Sequence, residues 1–148
     1  MITKLNIRDP WVQEFLWKYL VPSDIRYDYT KVDAIKFIHD QVLLGEQYLI
    51  GDKEAEVIFR CVARNSKVLE PHVIGNGLRL RSVGKAAIPF AWEMGFEKIV
   101  AWVNHPKLAH IWENLGLTLD AKLPKYHLKD GVLQDVYVLS LERQLNAL

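Results

Sequence analysis

The sequence predicts an α/β (α+β) fold, a mixed, mostly antiparallel sheet of about six or seven strands with helices on both faces. Three observations carry this. Short alternating or apolar runs are interleaved with segments of helical periodicity through the second half of the chain. Asp130-Gly131 marks a closing hairpin, whose strands must be antiparallel, so the sheet is not purely parallel. The 148 residues are 50% hydrophobic, enough for one sizeable core, and no repeat, low-complexity tract or linker divides them, so residues 1–148 read as a single domain.

The elements follow in order. Ile2 to Arg8 alternates as a short first strand. Asp9-Pro10 is an N-cap followed by a proline suited to the first helical position, and Val12, Phe15, Leu16, Tyr19 and Leu20 form one apolar stripe up to Pro22-Ser23. Asp24 to Tyr29 reads as a polar and aromatic loop, a place for substrate contacts. Thr30 with Asp33 resembles a capping box, and Val32, Ile35, Ile38 and Val42 continue a second helix to Gly45. Gln47 to Ile50 and Ala55 to Ala63 read as strands around a turn at Gly51-Asp52. Asn65-Ser66 turns the chain into a strand over Val68 to Asn76. There Pro71 cannot donate a ladder bond, so a bulge or a splay from a neighbour is expected.

Arg81 to Ala86 reads as a loop opening a helix, with Ala87, Phe90, Ala91 and Met94 at helical spacing before Gly95. Lys98 to Val103 is a short apolar strand. Asn104-His105-Pro106 opens a helix whose stripe is Leu108, Ile111, Trp112 and Leu115, stopped by Gly116. Leu117 to Ala121 and Tyr126 to Leu128 read as strand pieces, Leu133 to Leu141 as the last strand, and Glu142 to Leu148 as a short helical end.

Composition disfavours several classes of function. Nineteen basic against eighteen acidic residues leave no electrostatic footprint for nucleic acid or an anionic membrane. No apolar run approaches membrane-spanning length, and the first residues lack the apolar core of a signal peptide. Cys61, the single cysteine, allows no internal disulfide and reads as a small core residue. A soluble cytoplasmic protein is the simplest expectation. Gly84-Lys85 is followed by Ala86 rather than Ser or Thr, so there is no P-loop, and Gly75-Asn76-Gly77 lacks the third glycine of a dinucleotide fingerprint. His105 and His110 are five apart and do not share a helix face, so no metal site is expected. There is no G-x-S-x-G nucleophile motif.

Two features carry chemistry. Arg81-Ser82-Val83-Gly84-Lys85-Ala86 reads R-x-x-G-x-A at the mouth of a helix, where unpaired N–H groups and the dipole suit a phosphate and Arg81 adds a charge. The same residues would also serve an ordinary solvated turn. On the preceding strand, Glu70, His72 and Ile74 share a face, and the Glu–His pair fits a proton relay or a solvated strand face.

The element order, together with these motifs, resembles the GCN5-related N-acetyltransferase (GNAT) superfamily. Its acyl-CoA loop follows Q/R-x-x-G-x-G/A, matched by Arg81, Gly84 and Ala86. An Asn at the end of the next strand and a helix ending in Leu-Gly-aromatic correspond to Asn104 and Leu115-Gly116-Leu117. The resemblance covers residues 45 to 141 well. It implies an acetyl-CoA-dependent N-acetyltransferase acting on a primary amine of a protein or small molecule, with acetyl-CoA as cosubstrate. Backbone groups of Val73, Ile74, Gly75 or Asn76 would hold the pantetheine arm, and the amides of Ser82, Val83, Gly84, Lys85 and Ala86 the pyrophosphate. Asn104 would meet the cofactor further along, and Glu70 and His72 would serve as base. Trp112 stands where many members carry a Tyr acid, and an indole N–H does not release its proton in this range. Pro89 lies beyond the first helical turn. The resemblance therefore also fits a catalytically inactive structural or assembly protein of this fold, such as a phage virion component, with a second copy or a partner protein as its contact.

Overall fold

The computed structural model describes residues 1–20, 31–75, 77–129 and 131–144. Strands β1 (Thr3–Lys4), β2 (Gln47–Asp52), β3 (Val57–Ala63), β4 (Val68–Gly75), β5 (Lys98–Val103), β6 (Thr118–Lys129) and β7 (Val132–Glu142) form one seven-stranded sheet in the order β1-β2-β3-β4-β5-β7-β6. Every neighbouring pair is antiparallel except β4–β5. Helices α1 (Pro10–Tyr19) and α2 (Lys31–Leu43) precede β2; α3 (Leu80–Glu93) joins β4 to β5 and α4 (Pro106–Asn114) joins β5 to β6.

Period-two alternation gives the sheet two buried faces. Leu49, Ile58 and Ile74 pack under Val12, Phe15 and Leu16 of α1 and Ile38 of α2. On the opposite face Phe59, Leu69, Ile99, Ala101 and Leu139 pack under Leu80, Val83 and Ala91 of α3 and Ala109 and Trp112 of α4. The helices therefore cover both faces, as expected. The Asp9 side chain accepts the Trp11 N–H at the head of α1, and Pro10 sits where no donor is needed.

Several boundaries differ from expectation. The β2–β3 turn lies at Lys53–Glu56, because Gly51 and Asp52 still pair with Ile58 and Val57. Gly51 is required by that packing: a Cβ there would sit 2.5 Å from the Val57 carbonyl oxygen. The first strand is only Thr3–Lys4, and Ile7 turns inward beneath α1 instead. The two expected strand pieces are one long β6, in which irregularities between Leu119 and Ala121 and between Leu123 and His127 absorb the residues that break the alternation. Glu142 pairs with Lys98 at the end of β7 rather than opening a helix. The Asp24 to Tyr29 loop, the Thr30 cap, Asn76, Asp130 and the end of the tail lie outside the described residues.

Candidate active site

The parallel pairing of β4 and β5 is two residues long: Val68 with Lys98 and Leu69 with Ile99. The reason is Pro71. Lys98 N–H donates to the Lys67 carbonyl, so Lys67 faces β5, and strand alternation turns Leu69, Pro71, Val73 and Gly75 the same way. Pro71 would be the next donor to β5, and it has no N–H. The ladder stops there, while β4 stays in unbroken register with β3 as far as Val57–Gly75. The splay expected from Pro71 is therefore found, on the β5 side, and no bulge accompanies it. It leaves the backbone groups of Val73 and Trp102 that face the gap, and the Val100 carbonyl, outside the β4–β5 ladder. Ile74 is different: its backbone faces β3, where it pairs with Ile58, and its side chain is in the core, so it does not line the gap.

The helix start is displaced from the expected loop. A 3-10 turn over Gly77–Arg79 runs directly into α3 at Leu80, with Arg79 as the cap residue. The physical cause is Leu80, which is fully buried and begins the stripe continued by Val83, Gly84 and Ala91. Of the residues expected to cradle phosphate, Ser82 alone lies among the first-turn amides without α-helical acceptors. Val83, Gly84, Lys85 and Ala86 fall further in, where their N–H groups belong to the helix ladder. Gly84 serves packing instead: a Cβ there would meet Leu115 Cδ1 at 2.6 Å. Arg81 is exposed in the first turn, beside the amides that remain available. Gly77 is the open position, where a Cβ would meet nothing closer than Leu108 Cδ2 at 3.9 Å. The helix mouth thus lies at Gly77–Arg79, where sequence reasoning did not place it, and the signal that marks it is Leu80 as the first member of the buried stripe.

Glu70 and His72 are brought together. His72 Nε2 lies 2.8 Å from Glu70 Oε2, and Arg64 grips the same carboxylate with Nε on Oε1 at 3.2 Å and Nη2 on Oε2 at 2.5 Å. Glu70 is 4% exposed. Burial pushes its carboxyl up, but the His72 and Arg64 hydrogen bonds and charges outweigh that and hold it below the ordinary value. Sequence reasoning missed Arg64 because the hairpin turn, where Arg64 N–H donates to the Val68 carbonyl, is what brings it back to Glu70.

Asn104 follows the end of β5, and its Nδ2 donates to Gln134 Oε1 at 2.9 Å, leaving its Oδ1 as the remaining polar atom. Trp112 is 2% exposed and packs against Phe59 with ring centroids 6.3 Å apart; its Nε1 is buried with no partner. Cys61 is buried, and burial pushes its thiol up to about 12, so it is no nucleophile. Among the described residues no helix is long and apolar enough to cross a membrane.

A parallel strand pair that opens beside a helix start, inside an otherwise antiparallel sheet with helices on both faces, defines the fold of the GNAT acetyltransferases. Solved structures with the same fold include yncA, a putative acetyltransferase from Salmonella typhimurium with its cofactor acetyl-CoA. It aligns with a TM-score of 0.74 at 16% identity over 100% of this chain and 96% of that one. The spermidine/spermine N-acetyltransferase SpeG from Vibrio cholerae, in complex with manganese ions, aligns with a TM-score of 0.73 at 14% identity over 96% and 91%. A dodecameric form of the Vibrio cholerae spermidine N-acetyltransferase gives 0.70 at 14% identity over 96% and 92%. At such identities the likeness is one of fold. No protein-family profile matches the chain, and a comparison with curated proteins by sequence found no match.

Proposed function

We propose that this chain is an acetyl-CoA-dependent N-acetyltransferase whose acceptor is a primary amine of a small molecule or protein. The observation that carries the reading is the gap that opens between β4 and β5 after Pro71, next to the start of α3. An extended amide-bearing arm fits there as a substitute strand, taking the backbone hydrogen bonds that Val73 and Trp102 leave unused. The amides at the Gly77–Ser82 end of α3 and the exposed Arg81 suit the diphosphate beyond it. Asn104 Oδ1 is available on the other strand. Acetyl-CoA would supply an acyl group already activated as a thioester. The chain's part is to hold the amine against it, to exclude water and to accept a proton through the Glu70–His72 pair.

The SpeG structure is named for spermidine, which is an amine acceptor of that protein. For this chain an amine acceptor and self-association are parts of the same proposal. Trp112 favours a second reading. An indole buried without a partner supplies no transferable proton, which suits a protein of this fold that works as an assembly subunit without turnover. Calorimetry with acetyl-CoA and CoA, followed by an amine panel, separates the two. The transferase reading expects saturable binding with a Kd below about 1 mM and an acetylated product. Absence of binding at millimolar ligand overturns it, and binding without product over hours favours the second.

A further inference from the structure

Within that reading, the Glu70 cluster divides its labour in a way that the sequence leaves open. We infer that His72 is the residue that takes the proton from the acceptor amine, at Nδ1, and that Glu70 and Arg64 are positioning residues that act through it.

Four observations lead there. Both Glu70 oxygens are occupied by the Arg64 guanidinium, a bidentate geometry suited to a carboxylate. An ionised carboxylate only accepts hydrogen bonds, so the contact from His72 Nε2 at 2.8 Å requires that nitrogen to carry the hydrogen. A neutral imidazole with its proton on Nε2 has its lone pair on Nδ1, and that is the free basic atom of the cluster. Access separates the two residues: the His72 side chain is 32% exposed and that of Glu70 is 6%. Register adds the place. Counting on from the Val68–Lys98 pair sets His72 opposite Trp102, across the gap where the strands have parted, and Trp102 is exposed. Among the described residues, the groups around the ring are Glu70 on its own strand, Arg60 as its partner on β3 with Nη1 donating to Gln47 Oε1, Arg64 at the hairpin and Trp102 across the gap. Glu70 is the carboxylate among these.

The step is a proton transfer. The acceptor's ammonium gives one proton to Nδ1 and keeps its electron pair as a free amine; the ring becomes an imidazolium beside the Glu70 carboxylate, which keeps its charge, and returns the proton to solvent. Arg64 makes this directional, because a Glu70 held as carboxylate cannot trap the proton itself.

The test combines nitrogen-15 histidine spectra of the free protein with kinetics. At a pH where the ring is neutral, His72 should show the proton on Nε2. Arg64→Gln should give mixed tautomers and lower kcat about tenfold with KM for acetyl-CoA unchanged, and Arg64→Lys should recover part of both, since it restores the charge. His72→Gln should lower kcat by about a hundredfold or more while acetyl-CoA still binds. A proton on Nδ1 in the unaltered protein, or full turnover in His72→Gln, overturns the assignment and leaves the transferase reading standing. No acetyl-CoA binding by the unaltered protein overturns the transferase reading instead, whatever the tautomer.

Discussion

At Glu70, burial and hydrogen bonding oppose each other, and the outcome has a sign that can be measured. Burial alone would raise the carboxyl, yet His72 and Arg64 lower it below its ordinary value of 4.5. In acid the folded chain therefore binds fewer protons at this site than the unfolded chain, so the group's stabilisation is present above 4.5 and is lost as pH falls through the lower folded value. Glu70→Gln should cost about 1–3 kcal/mol near neutral pH, since Arg64 and His72 lose a charged partner. It should also flatten the fall in stability below 4.5, as read by urea unfolding across pH. Parallel acid profiles for the two proteins would contradict the account. The Glu70–His72 pair was legible because residues two apart share a strand face. Arg64 was not, since its distance from Glu70 is set by the hairpin and not by any local period.

Two elements border the gap, and each carries a proline. In α3, Pro89 removes a bond to the Lys85 carbonyl in the helix interior, but Lys85, Ala86 and Pro89 are exposed, so water can meet the freed group. The helix accordingly runs from Leu80 to Glu93 with Pro89 inside it. The R-x-x-G-x-A motif misplaced the helix mouth for a related reason. It weighs small residues, whereas the fold weighed the burial of Leu80 and the close approach of Leu115 to Gly84. In β4, Pro71 ends the ladder to β5. Pro71→Val would supply the missing donor, extend the pairing toward Val100 and raise stability by about 1 kcal/mol. Amide exchange at Val73 should slow and acetyl-CoA affinity should fall at least tenfold. A variant with unchanged affinity and unchanged exchange would show that Pro71 is not what holds the strands apart.

On the scale of the molecule, the strand and helix order was readable because each element carries its own period and punctuation: Asp9-Pro10, Gly45, Gly95, Gly116 and Gly131 each stand at an element boundary. Which strands lie side by side was less so. Parallel contact between β4 and β5, with β7 inserted between β5 and β6, is a tertiary arrangement driven by burial of Leu69, Ile99, Ala101 and Leu139 in one core. The central claim is that the opening between β4 and β5 receives the cosubstrate. A nitrogen-15 amide titration of the full chain with CoA tests it most directly. The account predicts saturable shifts at Val73, Gly75, Trp102 and the Gly77–Ser82 amides, with β1 and β2 unmoved. Shifts confined elsewhere, or none at millimolar CoA, would contradict it.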